Sequence, residues 1–242
     1  MRIVRLSLLF ALVALAGLPR LATAEPFTAA QRGEIVQILR DALKQDPSIL
    51  RDAIEALRRD EAARKAEALR AQSGHLVDPA DPVAGNPKGD VTIVEFFDTR
   101  CPYCRRLEPT MASLLAEDKK IRLVFKDLPV LGPASTLGAR ALLAAQRQGG
   151  YERLRAALMR PGFAASESSL ATAAQNAGLD WARLRQDMDD PAIERRLSAN
   201  LAQARALGIE GTPALLVGAT LIPGAVELVD LRRAVAQART GE

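Results

Sequence analysis

The sequence predicts an α/β domain that carries an inserted helical subdomain and is preceded by a helical stalk. Three observations predict it. The run Val-Thr-Ile-Val-Glu-Phe-Phe at 91–97 is β-branched and aromatic with almost no polar alternation, as in a strand covered on both faces. A second such run, Ile-Arg-Leu-Val-Phe-Lys at 121–126, follows after a single helical segment, which implies a parallel pair joined by a right-handed crossover. From 128 to 207 the pattern is helical throughout, and residues 25 to 74 hold no strand-like run.

At the start of the chain, Arg2 and Arg5 precede the apolar run Leu6 to Leu18, and Ala22-Thr23-Ala24 offers a small-x-small peptidase site. We read 1–24 as a signal peptide cleaved after Ala24. The run falls short of the about 18 apolar residues a spanning helix needs, and Pro19 and Arg20 interrupt its end. Cleavage removes three of 33 basic side chains and no acid, leaving 30 against 29. The nearly neutral remainder gives no electrostatic reason to expect nucleic acid as a partner.

Thr28 followed by Gln31 has the form of a capping box, and Ile35, Ile38, Leu39, Ala42 and Leu43 recur at helical spacing, predicting a helix over about 28–45. Asp46-Pro47 restarts the pattern as N-cap and first helical residue. The stripe Ile49, Leu50, Ala53, Ile54 and Leu57 continues through Ala62, Ala66 and Leu69 to Ser73-Gly74. That second helix has about 25 residues, or roughly 37 Å. Its stripe needs cover, and two arrangements supply it: the helices fold back on each other or on the main domain, or they pair with copies of themselves as an oligomerisation stalk. The apolar repeat spans too few heptads to choose between them.

Residues 76–90, with three prolines and two glycines, read as a linker. The chain thus divides into 1–24, a stalk at 25–74 and a domain at 75–242 with its helical insertion at about 128–207. Within the domain, a helix is expected from Pro102 to about Glu117. Breaks at Gly149-Gly150, Pro161-Gly162, Gly178 and Pro191 cut the insertion into about four helices, with Trp181 in their core. Residues 213–224 suggest two short strands turning at Gly218, and about Glu227 to Ala238 a closing amphipathic helix.

The chain has two cysteines, Cys101 and Cys104, separated by Pro102 and Tyr103. With no further cysteine and a single histidine, His75, a four-ligand zinc site cannot be assembled within the chain. A structural crosslink over so small a loop stabilises least. Redox exchange, which needs no cofactor, fits the surroundings: the strand delivers Cys101 to the start of a helix, where free amides and the dipole favour an anion. A thiol in such a place can fall in pKa from about 8.5 to roughly 3.5 to 7.5. Cys101 is therefore expected to be the exposed attacking thiolate, with Arg100 adding positive potential. Cys104, one turn inward, is expected to be the buried thiol that resolves a mixed disulfide.

A strand ending in Glu-Phe-Phe, then Cys-Pro-Tyr-Cys at a helix start, a helical insertion and much later Gly211-Thr212-Pro213 before a strand resembles the DsbA-like branch of the thioredoxin superfamily, over about residues 76 to 240. The resemblance implies a thioredoxin-like fold and a redox disulfide between Cys101 and Cys104. It makes Pro213 a cis-proline beside that pair, leaving the Thr212 backbone free for an extended substrate, with Pro102 and Tyr103 also on the substrate side. It makes Glu95 the buried acid that assists proton transfer at Cys104, and Lys126 its ionic partner. Tyr103 stands where the strongly oxidising members have histidine, so a milder couple is expected. Threonine before the cis-proline is also seen in disulfide isomerases of the superfamily.

The segment LRDALKQDPSILRDAIEALRRDEAARKAEALR (39–70) resembles the helical extension of ScsC-like proteins, periplasmic thiol proteins associated with copper tolerance that include trimeric isomerases. This implies a periplasmic disulfide isomerase or reductase acting on exported proteins with cysteines, with an inner-membrane redox partner. It also implies a homo-oligomer, as a trimer, assembled through residues 28–72. Two other functions stay open: a monomeric DsbA-type dithiol oxidase, and a copper-sequestering protein whose thiolates serve as soft Cu(I) ligands.

Overall fold

The structure, a computed structural model, describes residues 27–240; the signal peptide expected at 1–24 lies outside them. The chain divides into two units, one up to Arg58 and one from Arg59 onward. In the first, α1 (Ala29–Gln45) begins with the expected capping box: the Gln31 amide donates to Thr28 Oγ1 at 3.3 Å, and Gln31 Oε1 accepts from the Thr28 amide at 2.9 Å. No residue of α1 is buried, and Phe27, Ile35, Ile38, Leu39 and Leu43 are all exposed. After Asp46, whose carboxylate accepts from the Ser48 amide at 3.0 Å, α2 (Ser48–Leu76) starts. Ile49, Leu50 and Leu57 extend the uncovered stripe.

The second helix runs through Ser73-Gly74, where a stop was expected. A glycine inside a helix costs only about 1 kcal/mol, and Leu76 beyond it is 2% exposed in a core with Val94 and Phe96, a burial that outweighs the cost.

The second unit is built on a five-stranded mixed sheet: β1 (Val83–Gly85), β2 (Val91–Phe97), β3 (Ile121–Asp127), β4 (Ala214–Val217) and β5 (Thr220–Pro223), in spatial order β1-β3-β2-β4-β5. The central β2 and β3 are parallel as expected, with Glu95 opposite Phe125 and Phe96 opposite Lys126; the other pairings are antiparallel. β1 lies in the segment read as a linker. Three residues between prolines carry no usable period, so only the pairing with β3 creates the strand. Gly85 there has φ +72°, and a Cβ would stand 2.6 Å from the Ile121 carbonyl oxygen, so the position demands glycine. The outer strands β1 and β5 are short, and β5 is largely exposed and ends in Pro223.

Alternation along β2 and β3 sends Ile93, Phe97, Leu123 and Phe125 to one face and Val94, Phe96 and Val124 to the other. The first face packs on α3 (Pro102–Glu117), on α9 (Leu228–Thr240) and on helices of the insertion. Each such large buried side chain contributes about 1.5–3 kcal/mol.

The insertion holds five helices, not about four: α4 (Pro133–Gln146), α5 (Tyr151–Leu158), α6 (Glu167–Asn176), α7 (Trp181–Asp187) and α8 (Pro191–Ala206). All four expected breaks are present; the seven-residue α7 is too short to register a period of its own. Trp181 is only partly buried, at the margin of the core. Gly138 lets α4 approach closely, since a Cβ there would come within 2.8 Å of Thr99 Oγ1. No helix among the described residues is long and apolar enough to cross a membrane.

Candidate active site

β2 ends at Phe97, and a turn of three residues brings Cys101 to the N-cap of α3, with φ −68° and ψ 120° and Pro102 in the first helical turn. The turn is shaped by Asp98, a buried residue the sequence did not single out. One carboxylate oxygen accepts from the Arg100 amide at 2.8 Å; the other accepts from the amides of Val130 and Leu131 at 2.9 and 3.0 Å. The Arg100 guanidinium donates to the Leu131 carbonyl at 2.6 Å. It ties the loop after β3 to the cysteine turn. That loop exposes Val130 and Leu131 as apolar surface.

Both cysteines carry free thiols and both are buried. Cys101 was expected to be exposed; it is 4% exposed, because the Thr212–Pro213 loop lies over it and its thiol donates to the Thr212 carbonyl at 3.1 Å. The peptide bond between Thr212 and Pro213 is cis, as the resemblance implied. The Thr212 carbonyl, expected free for substrate, is thus occupied by the thiol. Cys104 is fully buried, and burial pushes its thiol well above the ordinary range, with the neighbouring Cys101 acting in the same direction. It is the hidden member of the pair, as expected.

A groove of about 770 Å³ opens beside the pair, between Tyr103 and the segments Gly208–Ala214 and Ala219–Leu221. Tyr103 is 55% exposed, and the Arg106 guanidinium stands 4.2 Å from its ring centroid, so a cation sits on the tyrosine that itself brings none. The signal for it was present in the spacing, three residues along one helix. Pro102 is exposed next to Tyr103.

Glu95 lies on the sheet face shared with Phe97 and is 1% exposed. Burial pushes its carboxyl up to about 7; the Arg155 guanidinium opposes that shift and Glu108 reinforces it. The expected partner Lys126 is not beside it. Lys126 is opposite Phe96, so its side chain goes to the other face, where it pairs with Asp81 at 2.7 Å with both groups buried. The cation at Glu95 is Arg155 of α5, 3.2 Å away. A second buried acid on the Glu95 face, Asp127, accepts from the Tyr151 hydroxyl at 2.8 Å and is also raised to about 7 by burial. Among the described residues, no group of three or more His, Cys, Asp or Glu side chains converges as a metal site.

The chain is similar to known proteins. The family described as Thioredoxin matches residues 77–237, and the one described as Copper resistance protein ScsC N-terminal domain matches residues 31–64. A thioredoxin-like oxidoreductase from Silicibacter pomeroyi DSS-3 is 44% identical with a TM-score of 0.66, over 68% of this chain and 95% of that one. A linker-deletion variant of Proteus mirabilis ScsC is 27% identical with a TM-score of 0.69, over 91% and 100%. The thiol-disulfide exchange protein alpha-DsbA2 from Wolbachia pipientis is 27% identical with a TM-score of 0.69, over 74% and 97%. The Na(+)/H(+) antiporter NhaA 3 of Salinispora tropica is 30% identical over 185 residues, 73% of this chain, but the chain spans only 28% of that protein's length. A match over most of the chain, on a fold that agrees with it, places the chain in the thioredoxin family, among the DsbA-like and ScsC-like thiol-disulfide oxidoreductases.

Proposed function

We propose that the chain is a periplasmic disulfide isomerase or reductase of exported, cysteine-containing proteins, working as a homo-oligomer, a trimer, joined through residues 28–72. The observation that carries the reading is the placement of the dithiol: Cys101 touches the Thr212 carbonyl beside the groove, and Cys104 is buried one helical turn behind. A client arriving there displaces the weak thiol-to-carbonyl contact and takes its place as an extended segment against the loop. Cys101 sulfur attacks a client disulfide, forming a mixed disulfide and expelling the client's other sulfur as a thiolate. In isomerisation that thiolate, or another in the client, attacks back and restores Cys101. In reduction Cys104 attacks Cys101, the pair is oxidised by two electrons and the client leaves as a dithiol. An inner-membrane redox partner then returns the pair to thiols.

The oligomer is supported by the stripe from Phe27 to Leu57, which no described residue of its own unit covers, and by the match of this segment to the ScsC N-terminal family. Ile38 and Leu57 are 60% and 63% exposed, so Glu in place of both is harmless to a monomer and disrupts a stalk. Mass in solution and recovery of a scrambled disulfide substrate test this directly. The expected result is an oligomer that becomes monomeric and loses isomerase activity in the double variant, while single-disulfide reduction persists. A monomeric wild type that oxidises reduced peptides but cannot unscramble overturns the reading in favour of the dithiol oxidase. Tight Cu(I) binding with negligible exchange favours sequestration instead.

A further inference from the structure

One guanidinium ties the helical insertion to the chemistry of the dithiol. Arg155 of α5 is buried, with its Cζ 4.5 Å from the Phe97 ring centroid and 4.1 Å from that of Phe125. Its two terminal nitrogens meet the Glu108 oxygens at 2.8 and 2.6 Å, and one of them also reaches Glu95 Oε2 at 3.2 Å. Glu108 follows Cys104 by four residues on α3, so the ion cluster begins one turn beyond the resolving thiol, on the same side of the helix. The groups around Glu95 are therefore Arg155 and Tyr151 from α5, Glu108 from α3 and, sharing the same guanidinium and tyrosine, Asp127 on the neighbouring strand.

The acids outnumber the cation. Glu108, 27% exposed, holds the shorter contacts, while Glu95 keeps one longer contact and its Oε1 has no protein partner. A buried carboxylate so poorly satisfied stands close to the balance between its neutral and charged forms. Arg155 is the cation against it; Arg105 and Arg106, next to Cys104, are engaged by the carbonyls of Thr99, Leu158 and Phe163 and by the Tyr103 ring.

We propose that Arg155 is a positioning residue for the dithiol, acting through Glu95, so that the helical insertion governs the proton transfer that releases the client. The proposal rests on the functional reading above and on the role the family resemblance implies for Glu95, acceptance of the Cys104 proton. In that step the Cys104 thiol passes its proton to the Glu95 carboxylate. Its sulfur bonds to Cys101 as the Cys101–client bond breaks. The electron pair departs on the client sulfur, which is protonated from solvent. The pair is oxidised by two electrons and the client disulfide is reduced by two. Arg155 stays a cation throughout and stabilises the carboxylate form, which is the form able to accept a proton.

The test is single-turnover reduction of a disulfide-bonded model peptide by the full chain between about pH 5 and 9. Wild type is expected to show a release rate that rises with pH around a midpoint near 7. Arg155→Gln moves the midpoint up by about one unit and slows release about fivefold at pH 7 and about tenfold at pH 5. Arg155→Lys recovers most of the shift. Glu108→Gln, on a side chain that is only 27% exposed, frees the guanidinium for Glu95 and moves the midpoint the opposite way, so the proposal remains testable even where Arg155→Gln fails to fold. Adding Arg155→Gln to Glu95→Gln produces no further change in the profile. Midpoints unmoved in the Arg155 and Glu108 variants, whatever their melting temperatures, overturn the proposal while leaving the functional reading intact. Failure of Cys104→Ser to trap a mixed disulfide overturns that reading, and the proposal with it.

Discussion

The two faces of the central sheet bury charge in opposite ways. On the face of Phe97 and Phe125, Glu95 shares one guanidinium with Glu108, Asp127 has the Tyr151 hydroxyl, and one oxygen on each of the two buried acids, Glu95 and Asp127, lacks a protein partner. On the face of Val94 and Phe96, Lys126 meets Asp81 at 2.7 Å, and Asp81 also accepts from Arg196 at 2.7 Å and from the Asp78 amide at 2.7 Å. The second cluster is matched and hydrogen-bonded, and it pins the segment before β1 to the sheet and to α8. The first is short of positive charge, and burial raises Glu95 and Asp127 to about 7, where a small change of conditions moves a proton. The difference teaches that burial alone does not make a charged group functional: the matched cluster holds structure, and the unmatched one, on the side of the dithiol, can exchange protons.

The sharpest way to break this comparison is Lys126→Met. Removing one partner of a buried pair leaves Asp81 partly uncompensated and is expected to cost about 3–5 kcal/mol of stability, read by urea unfolding, without moving the pH profile of exchange. A loss under about 1 kcal/mol contradicts a structural role for the matched face.

The next effect concerns pH. Glu95 and Asp127 bind protons more tightly folded than unfolded, so their stabilisation is complete below about pH 4 and is lost as pH rises through about 7, the reverse of ordinary surface carboxylates. For Glu95 alone, raised from 4.5 to about 7, the change is roughly 3 kcal/mol at 1.36 kcal/mol per unit. The chain should melt higher at mildly acid than at mildly alkaline pH, and Glu95→Gln should flatten part of that slope. Asp90 and Asp118, held low by Arg239, act in the opposite sense and only as pH falls below the usual carboxylate range. A melting temperature that climbs steadily through neutrality contradicts the acid-rich face.

The smallest effect is that of Tyr151→Phe, which removes the hydroxyl donor to Asp127 and is expected to cost about 1–2 kcal/mol. Thermal melts at several pH values check it: the loss should grow with pH, since the charged carboxylate depends most on the donor.

The parts of the site that were legible in the sequence are those whose signal is local. The strands at 91–97 and 121–126, the helix start at Cys101 and the two-cysteine spacing each declare themselves within a few residues, and the cis-proline came with the family pattern. The ionic partner of Glu95 was misread because facing depends on register. Opposite Phe96 rather than Glu95, Lys126 points away, and no single strand's pattern carries that. Arg155 lies 60 residues from Glu95 in a stretch, Tyr-Glu-Arg-Leu-Arg, that reads as a solvated helix face. The burial of Cys101 likewise depends on a loop 111 residues away. Nothing local marks Asp98, because the amides it accepts from at Val130 and Leu131 lie more than 30 residues along the chain.

The margins of the sheet have a consequence for the traffic across this surface. β1 is three residues long with a left-handed glycine at its end, and β5 is four residues closed by a proline, so neither border offers a run of free amides on which a foreign chain could zip. An unpaired strand that meets either edge finds too few hydrogen-bonding groups in a row to extend the sheet.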